Sequence, residues 1–434
     1  MKNIAFILLA FLFQLHIKAQ ETVPISKQEA LAKVKERNNT MKMAEQDVLM
    51  AKGDFNQTNA VLLPTIGISH TGIATTNPLM AFGSKLNQEI LTQADFNPEL
   101  LNNPSQIQDF ATRVEIQQPI LNLDGLYQRK AAKAKWNATE LESQRTQDYV
   151  ALEVDMAYMQ LQLAYKTVEV LQKAKKSATE NLRIATNSFE QGYLQKSDIL
   201  VVQVRVTEID NQLQYAKSNI LNSSNYLSVL MDETPYQILQ PTDSLTLITE
   251  TILSEEFSEN RKDIQAMESV SEAYKQQYKA DKMSFLPRLN AFGTYELHDN
   301  EIFQGGANGF LFGASLQWNI LEGTKRFGKA QKSRAELEKS KLKLHQYKSE
   351  SQLELNKAIR GLADAKNNLK LTELAMFQSK EALRIRTNRF KQGLEKTTEL
   401  LMAESQYAQK QLEYYTTIFQ HNYALAYMQF LTNK

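Results

Sequence analysis

Residues 187–200 read NSFEQGYLQKSDIL, and residues 388–401 read NRFKQGLEKTTELL. The two align without a gap at an offset of 201. Asn187/Asn388, Phe189/Phe390, Gln191/Gln392, Gly192/Gly393 and Leu200/Leu401 are identical, and the match runs on to Tyr226/Tyr427 and Leu230/Leu431. In each copy a stretch with helical spacing stops at a glycine, and another begins a few residues later. Glycine takes the left-handed conformation at a helix C-terminus at little cost, so Gly192 and Gly393 read as helix ends. Ser197 and Thr397 or Thr398 are candidate N-caps. Asp198 and Glu399 fall in the first turn, where the helix dipole favours an acid. Each copy is therefore a helical hairpin, with tips at 191–197 and 392–398.

The arms of these hairpins carry a coiled-coil pattern. Ile199, Val202, Val206, Ile209, Leu213, Ala216 and Ile220 alternate steps of three and four, the spacing of a seam between helices. Leu171, Ala174, Ala178, Leu182, Ala185 and Phe189 nearly repeat it on the preceding arm. That arm runs from about Leu126 to Glu190, roughly 65 residues or about 95 Å at 1.5 Å per residue. Helices of this length must pack along one another as antiparallel neighbours. No proline falls between Pro119 and Pro235 or after Pro287, which leaves both long stretches free of the roughly 3 kcal/mol penalty of an interior proline.

The duplication extends further upstream. Met41–Pro64 aligns with Ile264–Pro287 at an offset of 223, with Glu45/Glu268, Lys52/Lys275, Leu63/Leu286 and Pro64/Pro287 identical. QPILNLDG (118–125) resembles WNILEG (318–323). Each half reads helix, Leu-Pro, glycine-containing segment, Asp/Glu-Gly, long helix, Gln-Gly, helix. The repeats cover 20–232 and 256–434, with a linker at 233–255 containing Pro235 and Pro241. Pro64, Pro119, Gly125, Pro287 and Gly323 mark the junctions between strands and helices.

Of the 15 glycines, 11 lie in 67–125 and 293–328, where the period changes to two. Phe110, Thr112, Val114, Ile116 and Ile120 share one face, and Arg113, Glu115 and Gln117 the other. Phe310, Phe312, Ala314, Leu316, Trp318 and Ile320 alternate with Leu311, Gly313, Ser315, Gln317 and Asn319. With weaker partners these predict strands near 64–74, 110–121, 288–298 and 310–321. One apolar and one polar face over ten to twelve residues suits a strand crossing an outer membrane.

The first 19 residues, MKNIAFILLAFLFQLHIKA, have the basic start, apolar core and small final residue of a signal peptide. Its removal takes away Lys2 and Lys18 and no acid, moving the formal charge from +1 to −1. No later run is apolar and long enough for a helical span, so membrane entry falls to the strands. A membrane sheet tolerates no lipid-exposed edge, and the smallest barrels need about 8 strands. Four strands cannot close alone, which predicts a barrel shared between chains. The loop at 75–109 and the shorter one at 299–308 would then lie outside the cell, opposite the helices.

Charge balance, with 50 basic and 49 acidic side chains, gives no broad nucleic-acid surface. The absence of cysteine excludes disulfides, thiolate metal sites and an acylated N-terminal cysteine. Gly323–Ala330 has the G-x-x-x-x-G-K spacing of a phosphate loop but lacks the following Ser/Thr that would hold magnesium. No histidines pair at i,i+4. Catalytic residues, cofactors and metals are not expected.

FEQGYLQKSDIL, FKQGLEKTTELL, the two Leu-Pro pairs, QPILNLDG and the duplication together resemble the TolC-like outer-membrane efflux family. The resemblance covers essentially the whole mature chain. It implies a mainly α fold with a membrane β part. The long coiled-coil helices would form an α-barrel in the periplasm, and four strands per chain a trimeric 12-stranded β-barrel in outer-membrane lipid. It implies that the tips (Phe189, Gln191, Gly192, Ser197, Asp198, Phe390, Gln392, Gly393, Thr398 and Glu399) dock a periplasmic adaptor, which links to an inner-membrane pump. The expected function is a passive exit duct for small molecules or proteins. The competing reading is an exported soluble coiled-coil scaffold or adaptor. One departure stands out: Ser379–Arg389 holds Lys380, Arg384, Arg386 and Arg389 against the single acid Glu381.

Overall fold

The computed structural model describes residues 22–235, 237–249 and 256–433. The expected signal peptide and the end of the linker at 250–255 lie outside the described residues. In chain order the elements are β1 (Thr22–Ile25), α1 (Lys27–Arg37), α2 (Asn39–Gln57), β2 (Thr65–Thr75), α3 (Pro78–Asn87), α4 (Pro98–Asn102), β3 (Ile107–Leu121), α5 (Leu123–Glu190) and α6 (Lys196–Leu230). There follow β4 (Ile238–Pro241), α7 (Lys262–Met283), β5 (Arg288–Asp299), β6 (Ala307–Gln317), α8 (Lys325–Lys391) and α9 (Thr397–Thr432). No described helix is long and apolar enough to cross a membrane.

The chain forms two compact units, and neither coincides with a sequence repeat. One gathers residues up to Gln46, Glu142–Asp263 and Tyr347–Lys434; the other gathers Asp47–Leu141 and Ile264–Gln346. Each draws on both repeats, because the long helices pass through both and the strands of one repeat pair with those of the other.

The first unit is helical. Its main core joins Ile25, Ala30 and Val34 to Val154, Tyr158, Leu161 and Leu171 of α5 and to Leu213, Ala216, Ile220 and Leu227 of α6. The seam read from spacing is the buried one: Val202, Ile209, Leu213, Ala216 and Ile220 are all at most 8% exposed. The described part of the linker is stapled to the helices. β4 pairs in parallel with β1, and the Leu239 N–H donates to Ser224 Oγ at 2.8 Å. Tyr165 and Asn422 donate to the carbonyls of Leu239 and Thr246.

The same unit buries an ionic cluster. Arg145 stacks over the Phe430 ring and donates to its carbonyl at 3.0 Å. Its guanidinium lies 3.6 Å from Asp263, which also accepts from Arg261 and Tyr347. Burial alone would raise the Asp263 carboxyl. The Arg261 and Tyr347 hydrogen bonds and the two guanidinium charges outweigh it and hold the group below its ordinary range.

The second unit contains a four-stranded antiparallel sheet in the order β2-β3-β5-β6. β3 pairs with β5 from Phe110↔Asp299 to Leu121↔Leu289, so the two hairpins are one continuous sheet. Both outer strands, β2 and β6, have an unpaired edge among the described residues.

Several expected boundaries move. β3 starts at Ile107 rather than near 110, and β6 runs over 307–317 rather than 310–321. Trp318 and Ile320 continue the alternation but leave the ladder, and the Trp318 indole donates to the Phe285 carbonyl instead. Pro119 is no junction: it lies inside β3, at a register shift between Pro119 and Leu121, a position where its missing N–H costs least. Gly125 lies in the first turn of α5, where a Cβ would come within 2.8 Å of Val61. Gly323 does turn the chain, at φ +57°. Lys329, the lysine of the phosphate-loop spacing, pairs at 2.9 Å with the buried Asp281, and Arg288 pairs with Asp124.

Candidate functional site

Two regions carry the features expected of a duct: the helical tips in the first unit and the open sheet in the second. At the first tip Gly192 takes φ +80°. The Tyr193 N–H donates to the Ser188 carbonyl at 2.8 Å and the Gly192 N–H to Phe189 at 2.8 Å. At the second, Gly393 takes φ +71°, with Leu394 donating to Arg389 at 2.9 Å and Gly393 to Phe390 at 3.0 Å. This is the glycine-dependent helix stop that satisfies the last carbonyls, built twice.

The restart differs from expectation. Ser197 and Thr398 are not caps; each is the second residue of its helix, and the cap positions are Gln195 and Lys396. Asp198 accepts the Gln195 N–H at 3.0 Å, the reciprocal half of a capping box. At the second tip Arg386 meets Glu395 at 3.3 Å and Glu399 at 2.8 Å, and Arg389 meets Glu395 at 3.1 Å. Two of the four basic side chains before this tip thus meet acids beyond the turn, and a third, Arg384, pairs with Glu381 on its own helix.

The expected docking residues differ in exposure. Gln191, Gly192, Ser197, Gln392, Gly393 and Thr398 are exposed, as is Phe189, while Asp198 and Glu399 are half-buried. Phe390 is buried. The apolar groups that do protrude are Tyr193 at 79% exposed and Leu394 at 62%. They occupy equivalent places in the duplication, each directly after the tip glycine, which is the signal that would have found them.

Below the tips, Ala185, Val202 and Leu401 bring α5, α6 and α9 into one apolar cluster. Beside it lies a group that spacing does not reveal. Glu404 is 7% exposed and accepts from the Asn181 amide at 2.7 Å. Its second oxygen has no partner, nor has the buried Nε of Arg205, whose Nη1 bonds Glu208. Burial pushes the Glu404 carboxyl up to about 7, against the pull of Arg205 and the Asn181 bond.

The sheet has two unlike faces. Across the register, Ile66↔Ile116↔Gly293↔Phe312 and Ile68↔Val114↔Tyr295↔Phe310 make apolar rows. This face is bare: Ile68, Phe310 and Phe312 are each at least 76% exposed. A contiguous exposed apolar surface of this kind is abnormal for a chain surrounded by water. On the other face, Gly67↔Glu115↔Thr294↔Leu311 and Ser69↔Arg113↔Glu296↔Gly309 are mostly small, polar or charged, with Leu311 the exception and Arg113 paired to Glu296.

An open sheet with one bare apolar face, together with long helices turned at glycine tips, defines a subunit of a membrane channel. The chain belongs to the outer membrane efflux protein family, whose profile matches residues 30–232 and 253–425. It is an outer-membrane efflux channel and not an enzyme. Among solved structures it is similar to the Campylobacter jejuni CmeC outer membrane channel, at 16% identity and TM-score 0.79 over 94% of this chain and 85% of that one. It is also similar to the Vibrio cholerae outer membrane protein VceC, at 16% identity and TM-score 0.79 over 94% and 96%. The open state of the Neisseria gonorrhoeae MtrE channel matches at 15% identity and TM-score 0.76 over 94% and 88%. No curated protein matches.

Proposed function

We propose that three copies of this chain close a 12-stranded barrel in the outer membrane and continue it as a helical tunnel in the periplasm. The tips receive a periplasmic adaptor, and through it cargo from an inner-membrane pump. The observation that carries this reading is the four-stranded sheet with two unpaired edges and one exposed apolar face. Lipid removes the cost of that face, and neighbouring copies remove the edges, which a membrane does not tolerate. The duct binds nothing tightly, since conduction requires weak interactions along a polar lumen. Opening is a splaying of the tip hairpins from one packed arrangement to another, favoured by contact with the adaptor.

Fractionation and sizing test this. The protein should sediment with the outer membrane and leave mild detergent as a trimer that runs as a monomer only after heating. A monomer found in the soluble periplasm would overturn the duct and favour the exported scaffold.

A further inference from the structure

We propose that α3 is a collar inside the outer mouth of the duct and limits the size of what leaves. This rests on the reading that the polar face of the sheet lines the duct. The loop that carries α3 is built, not slack. Asn77 caps α3, its side chain accepting the Met80 N–H, with Pro78 in the first turn. Lys85 pairs at 2.7 Å with Asp95 of the following turn.

Burial shows which face α3 covers. At the loop end of the sheet, the row Thr71↔Ala111↔His298↔Ala307 and the pair Ile73↔Asp109 belong to the polar face. Asp109, His298 and Ala307 are buried there, whereas Arg113 and Gly309, one row further in, are exposed. The covering side chains are Ala81 and Ser84 on α3 and Gln88 at its C-cap, in line with one another and at most 7% exposed. The helix contacts both β3 and β6 and so crosses the sheet.

A polar latch fixes it. Gln88 donates to the Gln108 carbonyl at 2.8 Å and to the Asp109 carboxylate at 3.0 Å. His298 Nδ1 lies 3.1 Å from the same carboxylate, and its Nε2 faces Glu296 at 3.4 Å. Glu296 pairs with Arg113. Opposite the buried stripe, Leu79 at 81% and Leu86 at 57% exposed flank Gly83. They point away from their own sheet into the space before its polar face. A narrow apolar constriction is a barrier to hydrated cargo.

The chain has no cysteine, so single thiols can serve as probes in the full-length protein on intact cells. Thr294→Cys places one on the polar face inside the collar; Ile68→Cys places one on the apolar face. The expected result is that a small charged maleimide labels the position 294 thiol while a bulky polyethylene-glycol maleimide does not. Replacing residues 77–105 with a short Gly-Ser turn should raise the polymer's rate by about tenfold or more, a barrier of roughly 1.4 kcal/mol or greater. Gln88→Ala, which leaves the loop intact, should raise it in the same direction. Equal polymer rates in all three backgrounds would overturn the collar. If the small reagent labelled Ile68→Cys as fast as Thr294→Cys, the two faces would not be lipid and lumen, and the duct reading itself would fall.

Discussion

Glu404 is the residue whose chemistry is most out of keeping with its surroundings. Its carboxyl ionises at about 7 in the folded chain against an ordinary 4.5, so the folded state holds a proton that the unfolded state has lost between these values. Stability is therefore full below about 4.5, falls as pH rises to about 7, and is flat beyond. Glu404→Gln keeps an acceptor for Asn181 and removes the titration. Its apparent unfolding temperature should match the wild type at pH 4 and exceed it by a few degrees at pH 8, read by circular dichroism in detergent. Equal midpoints at both pH values would show that Arg205 already compensates the buried charge. Neither Glu404 nor Arg205 was legible beforehand. Helical spacing places Glu404 between Leu401 and Ala408, but only the meeting of three helices buries it.

At the scale of elements, the tips show what a repeated motif does and does not specify. Gly192 and Gly393 were legible because few residues tolerate positive φ, and both take it. Valine there would cost about 1–2 kcal/mol or more and reshape the turn, without touching the sheet. Gly192→Val and Gly393→Val should therefore assemble normally in the outer membrane yet export poorly, measured as accumulation of a fluorescent pump substrate. Normal export in both would mean that the tips are not where the adaptor docks. The caps were misread for a physical reason. A cap hydroxyl accepts an N–H of the first turn, whereas at the first tip the third residue of the helix, Asp198, accepts the N–H of the cap residue Gln195. The loop at 75–109 contains short helices that strand alternation does not announce. Asn77 and Asn97 each cap a helix whose first residue is the following proline.

At the scale of the molecule, alternation and glycine placement were enough to find four strands and to show that they cannot close alone. What spacing could not supply is the β3–β5 pairing, which joins the two hairpins across 166 intervening residues (121 to 288). That long-range pairing is why the compact units cut across the repeats. It also means each copy contributes one undivided quarter-dozen-plus-one of strands, four, with an open edge on either side. Three copies supply twelve. Co-expressing the chain with two tags of different length should thus yield four separable trimer species, two pure and two mixed, on a native gel. Three species would indicate a dimer and five a tetramer, and either would revise the barrel.

One small pairing has a consequence in time. Thr22 lies opposite Ile238 in the β1–β4 ladder, 216 residues downstream (238 − 22). A chain exported N-terminus first must hold its leading strand without a partner while all of that length follows. Synthesis alone, at about 5–20 residues per second, takes on the order of 10–40 s to supply that length. The apolar side chain of Ile25, 1% exposed once folded, is uncovered throughout, so the leading segment is the part of the newborn chain most in need of a holding chaperone.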